Sequence, residues 1–185
     1  LRSALRLSTD SEASIRAVAT RVAAAQATAN TIIEVSPVGS SSSLGAAERF
    51  AQTIAGLVRV LRLSLGRWWT TEIKATSAIF PFLVQHAAFL HNRFQVRRDG
   101  LTPFEGVQGR SYRSTLHEFG YPVLVRKLDA TELPHLEARW VPGVWLGRTP
   151  DSNENVVGCA GDDVCYGRSV RPLLSADMEV FEKMV

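Results

Sequence analysis

The first 65 residues switch repeatedly between two hydrophobic periods, and this switching restricts the chain to an α/β arrangement more than any other feature. Residues 4–9 set Leu5 and Leu7 against Arg6 and Ser8, the alternation of a short strand. Asp10 stands at its end. Ser11-Glu12 opens a helical stretch to about Thr28 that gathers Ile15, Val18, Ala19 and Val22 on one face. Asn30 breaks it, and Thr31-Ile32-Ile33-Glu34-Val35 is rich in the β-branched residues that favour strands. Pro37 and Gly39, with a run of serines to Ser43, mark a loop. A long helix is then expected over Gly45–Leu65. At 100° per residue, Ala47, Phe50, Ala51, Ile54, Leu57, Val58, Leu61 and Leu65 share one apolar arc. Glu48, Arg49, Gln52, Thr53, Gly56, Arg59 and Arg62 lie opposite.

A second helix is expected from about Ser77 to Arg93, with Pro81 in its first turn and Ile79, Phe82, Leu83, Ala87 and Leu90 inward. Thr102 is a plausible N-cap for a helical turn begun by Pro103-Phe104-Glu105. Beyond Gly120 the pattern changes to short β segments: Tyr121–Arg126, Gly143–Gly147, Asn155–Cys159 and Val164–Arg168, the last two joined by a turn at Gly161-Asp162-Asp163. These suit a small all-β unit of the partial-barrel kind, followed by a loosely docked tail from Leu173. The expected organisation is residues 1–115, an α/β core; 116–172, the β-rich unit; and 173–185, the tail. No internal repeat is present.

With 185 residues, 45% hydrophobic and 21% charged, the chain has the composition of a folded protein rather than a disordered one. No apolar run is long enough to span a bilayer, so no membrane partner is expected. The chain begins at Leu1 without a signal-peptide pattern, which reads as part of a longer, intracellular (nuclear or cytoplasmic) polypeptide. Charge is unevenly divided. Residues 1–115 carry a net +7 and residues 116–185 a net −4, and 18 of the 21 basic residues are arginine, whose fork suits phosphate. Such a basic half suits either electrostatic attraction of nucleic acid or a plain solvated face with a coding bias towards Arg; the acidic β unit suits a protein contact better than DNA.

The order strand–Asp10–helix–strand–loop–helix–Glu48 directs two carboxylates from different elements towards one place. Converging carboxylates are what hard divalent cations require, and two such ions about 3.5–4 Å apart clamp the oxygens of an in-line phosphoryl displacement. The same two residues also suit a structural role, Asp10 as a helix initiator and Glu48 as a first-turn acid complementing the helix dipole. Other motifs are weaker. His86 and His91 stand at i, i+5 rather than the i, i+4 placement of a helical metal pair, and read as structural. Cys159 and Cys165 flank the expected turn and read as free thiols. Trp68-Trp69 reads as packing. Gly39–Ser43 lacks the Gly-Lys-Ser/Thr ending of a P-loop, and no Gly-x-Ser-x-Gly elbow is present.

Pro37…Ser41-Ser42-Ser43-Leu44-Gly45-Ala46-Ala47-Glu48-Arg49 resembles the loop and helix that carry the catalytic Glu of retroviral and retrotransposon integrases. Leu7-Ser8-Thr9-Asp10 resembles the strand end carrying their second catalytic Asp, and the 38-position interval is close to that family's spacing. His86–Arg93, Leu101-Thr102-Pro103-Phe104-Glu105 with Gly109, Glu118-Phe119-Gly120, Trp145-Leu146-Gly147 and Arg168-Ser169-Val170 are similar, in order, to copia-type signposts. The resemblance covers about residues 4–171.

That resemblance implies a ribonuclease-H-like core, truncated here, followed by the small all-β unit. It implies Mg²⁺ or Mn²⁺ held by Asp10 and Glu48, and DNA integration by two-metal polynucleotidyl transfer. DNA would be the partner, met by Arg49, Gln52 and Arg59 on the exposed face of the long helix, with a homo-oligomer in the full-length protein. Ser11-Glu12 and Leu44-Gly45 depart from the Asn-Gly pairs common at these places. The family's first catalytic Asp lies upstream of any residue here, so the chain alone is expected to be inactive. The alternative expectation is a non-catalytic nucleic-acid-binding remnant of a mobile element.

Overall fold

The computed structural model describes residues 5–9, 11–26, 31–36, 45–66, 69, 73–126, 139–159 and 164–173. The chain divides into two compact units, Leu1–Thr53 and Ile54–Val185, and mixes helices with two sheets.

In the first unit, β1 (Leu5–Thr9) and β2 (Thr31–Val35) pair in parallel, from Leu5 opposite Thr31 to Thr9 opposite Val35. Parallel strands need a crossover, which α1 (Ala13–Ala25) supplies. Arg6 meets Glu34 across the pair at 3.3 Å; both ends are wet, so the pair contributes little. The expected inward face of α1 is corrected. Only Ala19 is buried, while Ile15, Val18 and Val22 are exposed, because two short strands offer too little surface to cover the helix.

The long helix α2 runs Gly45–Leu65, as the periodicity requires. Its apolar arc is buried only towards the C-terminal end: Leu65 is fully buried and Ile54, Leu57, Val58 and Leu61 half-buried. Ala47, Phe50 and Ala51, expected inward, are exposed.

The second unit is built on a five-stranded antiparallel sheet of β3 (Pro122–Arg126), β4 (Trp140–Arg148), β5 (Asn155–Cys159), β6 (Val164–Gly167) and β7 (Val170–Pro172), in the order β6-β5-β4-β3-β7. β7, which the sequence reading did not separate from β6, follows it after two residues yet pairs with β3 at the opposite end of the order. The sheet therefore curls. Gly167 of β6 lies against Val125 and Arg126 of β3, and the Arg126 N–H donates to the Ser169 carbonyl at 3.1 Å. These five antiparallel strands lie where short β segments are expected beyond Gly120.

Alternation along the strands sorts side chains to two faces. Val144, Leu146 and Val156 join Leu65 of α2, Leu83 of α3 (Phe80–Phe94) and Phe119 in one core. Val123, Val125, Trp145 and Val157 form a second on the other face. On α3, Leu83 and Ala87 are buried and Ile79, Phe82 and Leu90 half-buried, but His86, Phe89 and Arg93 are buried as well. Two further expectations are corrected. Leu173 is not loosely held: it is buried, and its N–H donates to the Pro122 carbonyl at 3.1 Å. Cys159 and Cys165 are not free thiols but a disulfide between β5 and β6, with Cα atoms 6.3 Å apart. Neighbouring antiparallel strands bring the two residues within bridging range. Residues 161–163 and 174–185 lie outside the described residues. Among those described, no helix is long and apolar enough to cross a membrane.

Candidate functional site

The crossover from β1 to β2 brings the C-terminal ends of both strands level. Thr9, the last residue of β1, is buried, and its carbonyl accepts from the Ser36 N–H at 2.9 Å. Asp10, next in sequence, and the loop 37–44 lie outside the described residues. Glu48 stands in the first turn of α2 and is exposed. Its position there is also favourable to the helix dipole.

Arg49, Gln52 and Arg59 are exposed on α2, on the polar side that the periodicity assigns them. Neither Arg49 nor Arg59 forms an ion pair with a described residue. Among the described residues no group of three or more His, Cys, Asp and Glu is placed to hold a metal ion.

The segments 86–93, 101–109, 118–120 and 145–147 have structural work in the second unit. Thr102 caps α4 (Pro103–Gln108): its hydroxyl accepts from the Glu105 N–H at 3.1 Å, and the Glu105 carboxylate accepts from the Thr102 N–H at 2.8 Å. This reciprocal box satisfies two otherwise unpaired donors. Hydrogen bonds to the Glu105 carboxylate, first from the Ser111 hydroxyl and then from Thr102, hold its pKa below the ordinary value. Gly109 ends the helix in the left-handed conformation that glycine adopts without strain. Phe119 is buried; Gly120 has φ +82°, and a Cβ there would collide with Leu65. The Gly120 carbonyl accepts from the Trp69 indole at 3.0 Å, which bears out packing as the role of that tryptophan. Trp68 lies outside the described residues.

His86 is a core histidine. It is buried among Phe89, Phe119 and Trp145, with ring centroids 5.3–6.0 Å away, and burial pushes its pKa down to about 4. Its Nδ1 has no hydrogen-bond partner among the described residues. Gly147, at the β-bulge of β4 with φ +129°, leaves the space the imidazole needs: a Cβ would come 3.1 Å from Nδ1.

The sequence reading did not single out a cavity of about 460 Å³ in the second unit, lined by Arg93, Arg110 and Arg113. No local motif announces it, because its walls come from α3, α4, the segment 110–114 and the turn after β4. Comparison with protein-family models and with curated proteins finds no match to this chain.

Proposed function

We propose that the chain is part of a copia-type retrotransposon integrase, acting in DNA integration, with Asp10 and Glu48 as metal ligands. The observation that carries this reading is the first unit: two parallel strands joined by a helix, their C-terminal ends level, with an exposed carboxylate opening the next helix. A ribonuclease-H-like core has its acidic residues at this kind of strand end. Asp10 and Glu48 supply hard oxygen donors of the type Mg²⁺ and Mn²⁺ take. Such an ion, when bound, polarises a phosphoryl oxygen and lowers the pKa of a coordinated water or hydroxyl.

The chain's own residues hold DNA and position it. Arg49 and Arg59 provide charge for backbone phosphates and Gln52 a neutral hydrogen-bonding amide, contacts that set register without reading sequence. The family's site has three acidic ligands, of which Asp10 and Glu48 would be two, so strand transfer requires a third carboxylate beside them. The non-catalytic reading keeps the arginines and drops the metal.

Anisotropy of a labelled short DNA duplex separates the two. The integrase reading expects affinity to rise in Mg²⁺ or Mn²⁺ and the metal-dependent increment to vanish in Glu48→Gln. Binding that is salt-sensitive but indifferent to metal and to Glu48→Gln overturns it in favour of the non-catalytic reading.

A further inference from the structure

Arg93, in the last turn of α3, is only 9% exposed. Its guanidinium carbon lies 3.8 Å from the centroid of the Phe89 ring and 5.2 Å from those of Phe104 and Tyr112. One nitrogen reaches the Pro150 carbonyl at 3.4 Å, a long contact, and Nε has no hydrogen-bond partner among the described residues. Among the described residues no carboxylate pairs with it. A buried cation without a counter-ion is costly, because its lost hydration is not replaced. Burial accordingly lowers its pKa, against a smaller opposing effect from Tyr112.

This guanidinium forms part of the wall of the 460 Å³ cavity, together with Arg110, Arg113, Tyr112 and Asn153. Three arginines face one carboxylate there, Asp151. The wall is tied together independently of any ligand: the Tyr112 hydroxyl donates to Asn153 Oδ1 at 2.7 Å, and Asn153 Nδ2 donates to the Ser114 hydroxyl at 2.8 Å. Arg110 and Arg113 are exposed, free to close over a ligand, whereas Arg93 is fixed by its aromatic neighbours. Guanidinium forks match the oxygens of a phosphate group bidentately. The volume lies in the range of small-molecule sites, about 300–1,000 Å³, and leaves room for what the phosphate is attached to.

We propose that this cavity is a binding site for a phosphate group, carried either by a nucleic-acid strand or by a small phosphorylated molecule. The bound group would be the counter-ion that Arg93 lacks. The proposal involves neither Asp10 nor Glu48, so its failure leaves the integrase reading standing, and the reverse holds.

The test titrates the whole chain with inorganic phosphate by calorimetry, and with a labelled 12-nucleotide single strand by anisotropy, at about 50 mM salt where phosphate contacts are strong. The variant is Arg110→Gln/Arg113→Gln, whose exposed positions spare the core. A loss of about tenfold or more in affinity for either ligand, with an unchanged melting temperature, is the expected result. Loss confined to the strand assigns the site to nucleic acid; loss of phosphate binding as well assigns it to the phosphate group alone. If neither ligand binds, or both bind the double variant as tightly as the parent, the proposal is overturned.

Discussion

The indole N–H of Trp145 donates to the side-chain oxygen of Asn155 at 3.0 Å, and both residues are buried, at 0% and 1% exposure. Asn155 then donates to the carbonyls of Gly167 and Arg168 at 3.0 and 3.2 Å. One amide thus joins β4, β5 and the corner between β6 and β7, where the sheet curls back on itself.

Replacing Asn155 by Ala strands a buried indole N–H and removes the donor from two carbonyls, so a loss of about 3 kcal/mol is expected. Urea denaturation of Asn155→Ala, Trp145→Phe and the double variant checks it. The single losses should overlap by about 1 kcal/mol in the double variant, because the two side chains share one hydrogen bond.

His86 gives the fold a pH dependence. Its pKa is about 4 in the folded chain against 6.5 in the unfolded one, so the unfolded state binds more protons between those values. Stability is fully present above about pH 6.5 and falls as pH drops towards 4, by at most about 3 kcal/mol. His117, lowered first by burial and then by Arg148, adds in the same direction. Melting temperature against pH should slope upward through this window, and His86→Leu should flatten it. An unchanged slope in the variant would sink the assignment.

The two units should differ in protection. Among described residues with a burial class, the first unit buries only Thr9 and Ala19, while Val18 is 61% exposed. The second has two apolar cores. Amide exchange should therefore be fast in β1 and β2 and slow in β3, β4 and β5. Equal protection would show that the first unit is held by contacts beyond those seen.

Much of this fold is legible in the sequence. The limits of β2, α2 and β5 follow from β-branched runs and the 3.6-residue period, and the capping box is visible as Thr102 three residues before Glu105. Periodicity assigns a face but not what covers it, which is why Ile15, Val22 and Phe50 were expected inside. Burial of His86, Arg93 and Asn155 depends on neighbours far along the chain, so hydropathy alone places them outside. Gly120 of Glu118-Phe119-Gly120 stands where a Cβ would collide with Leu65, and Gly147 of Trp145-Leu146-Gly147 where a Cβ would press on the His86 ring. Their spacing thus reflects packing of the second unit. The metal-ligand reading rests on the first unit alone, and the basic cavity has no linear signature because four segments build it.

Selective broadening of amide resonances by substoichiometric Mn²⁺ tests the metal assignment most directly. The account predicts that residues around Asp10 and Glu48, on either side of the strand end and the start of α2, broaden first, and that Asp10→Asn or Glu48→Gln abolishes the effect. Broadening elsewhere, or at one carboxylate without the other, would contradict it.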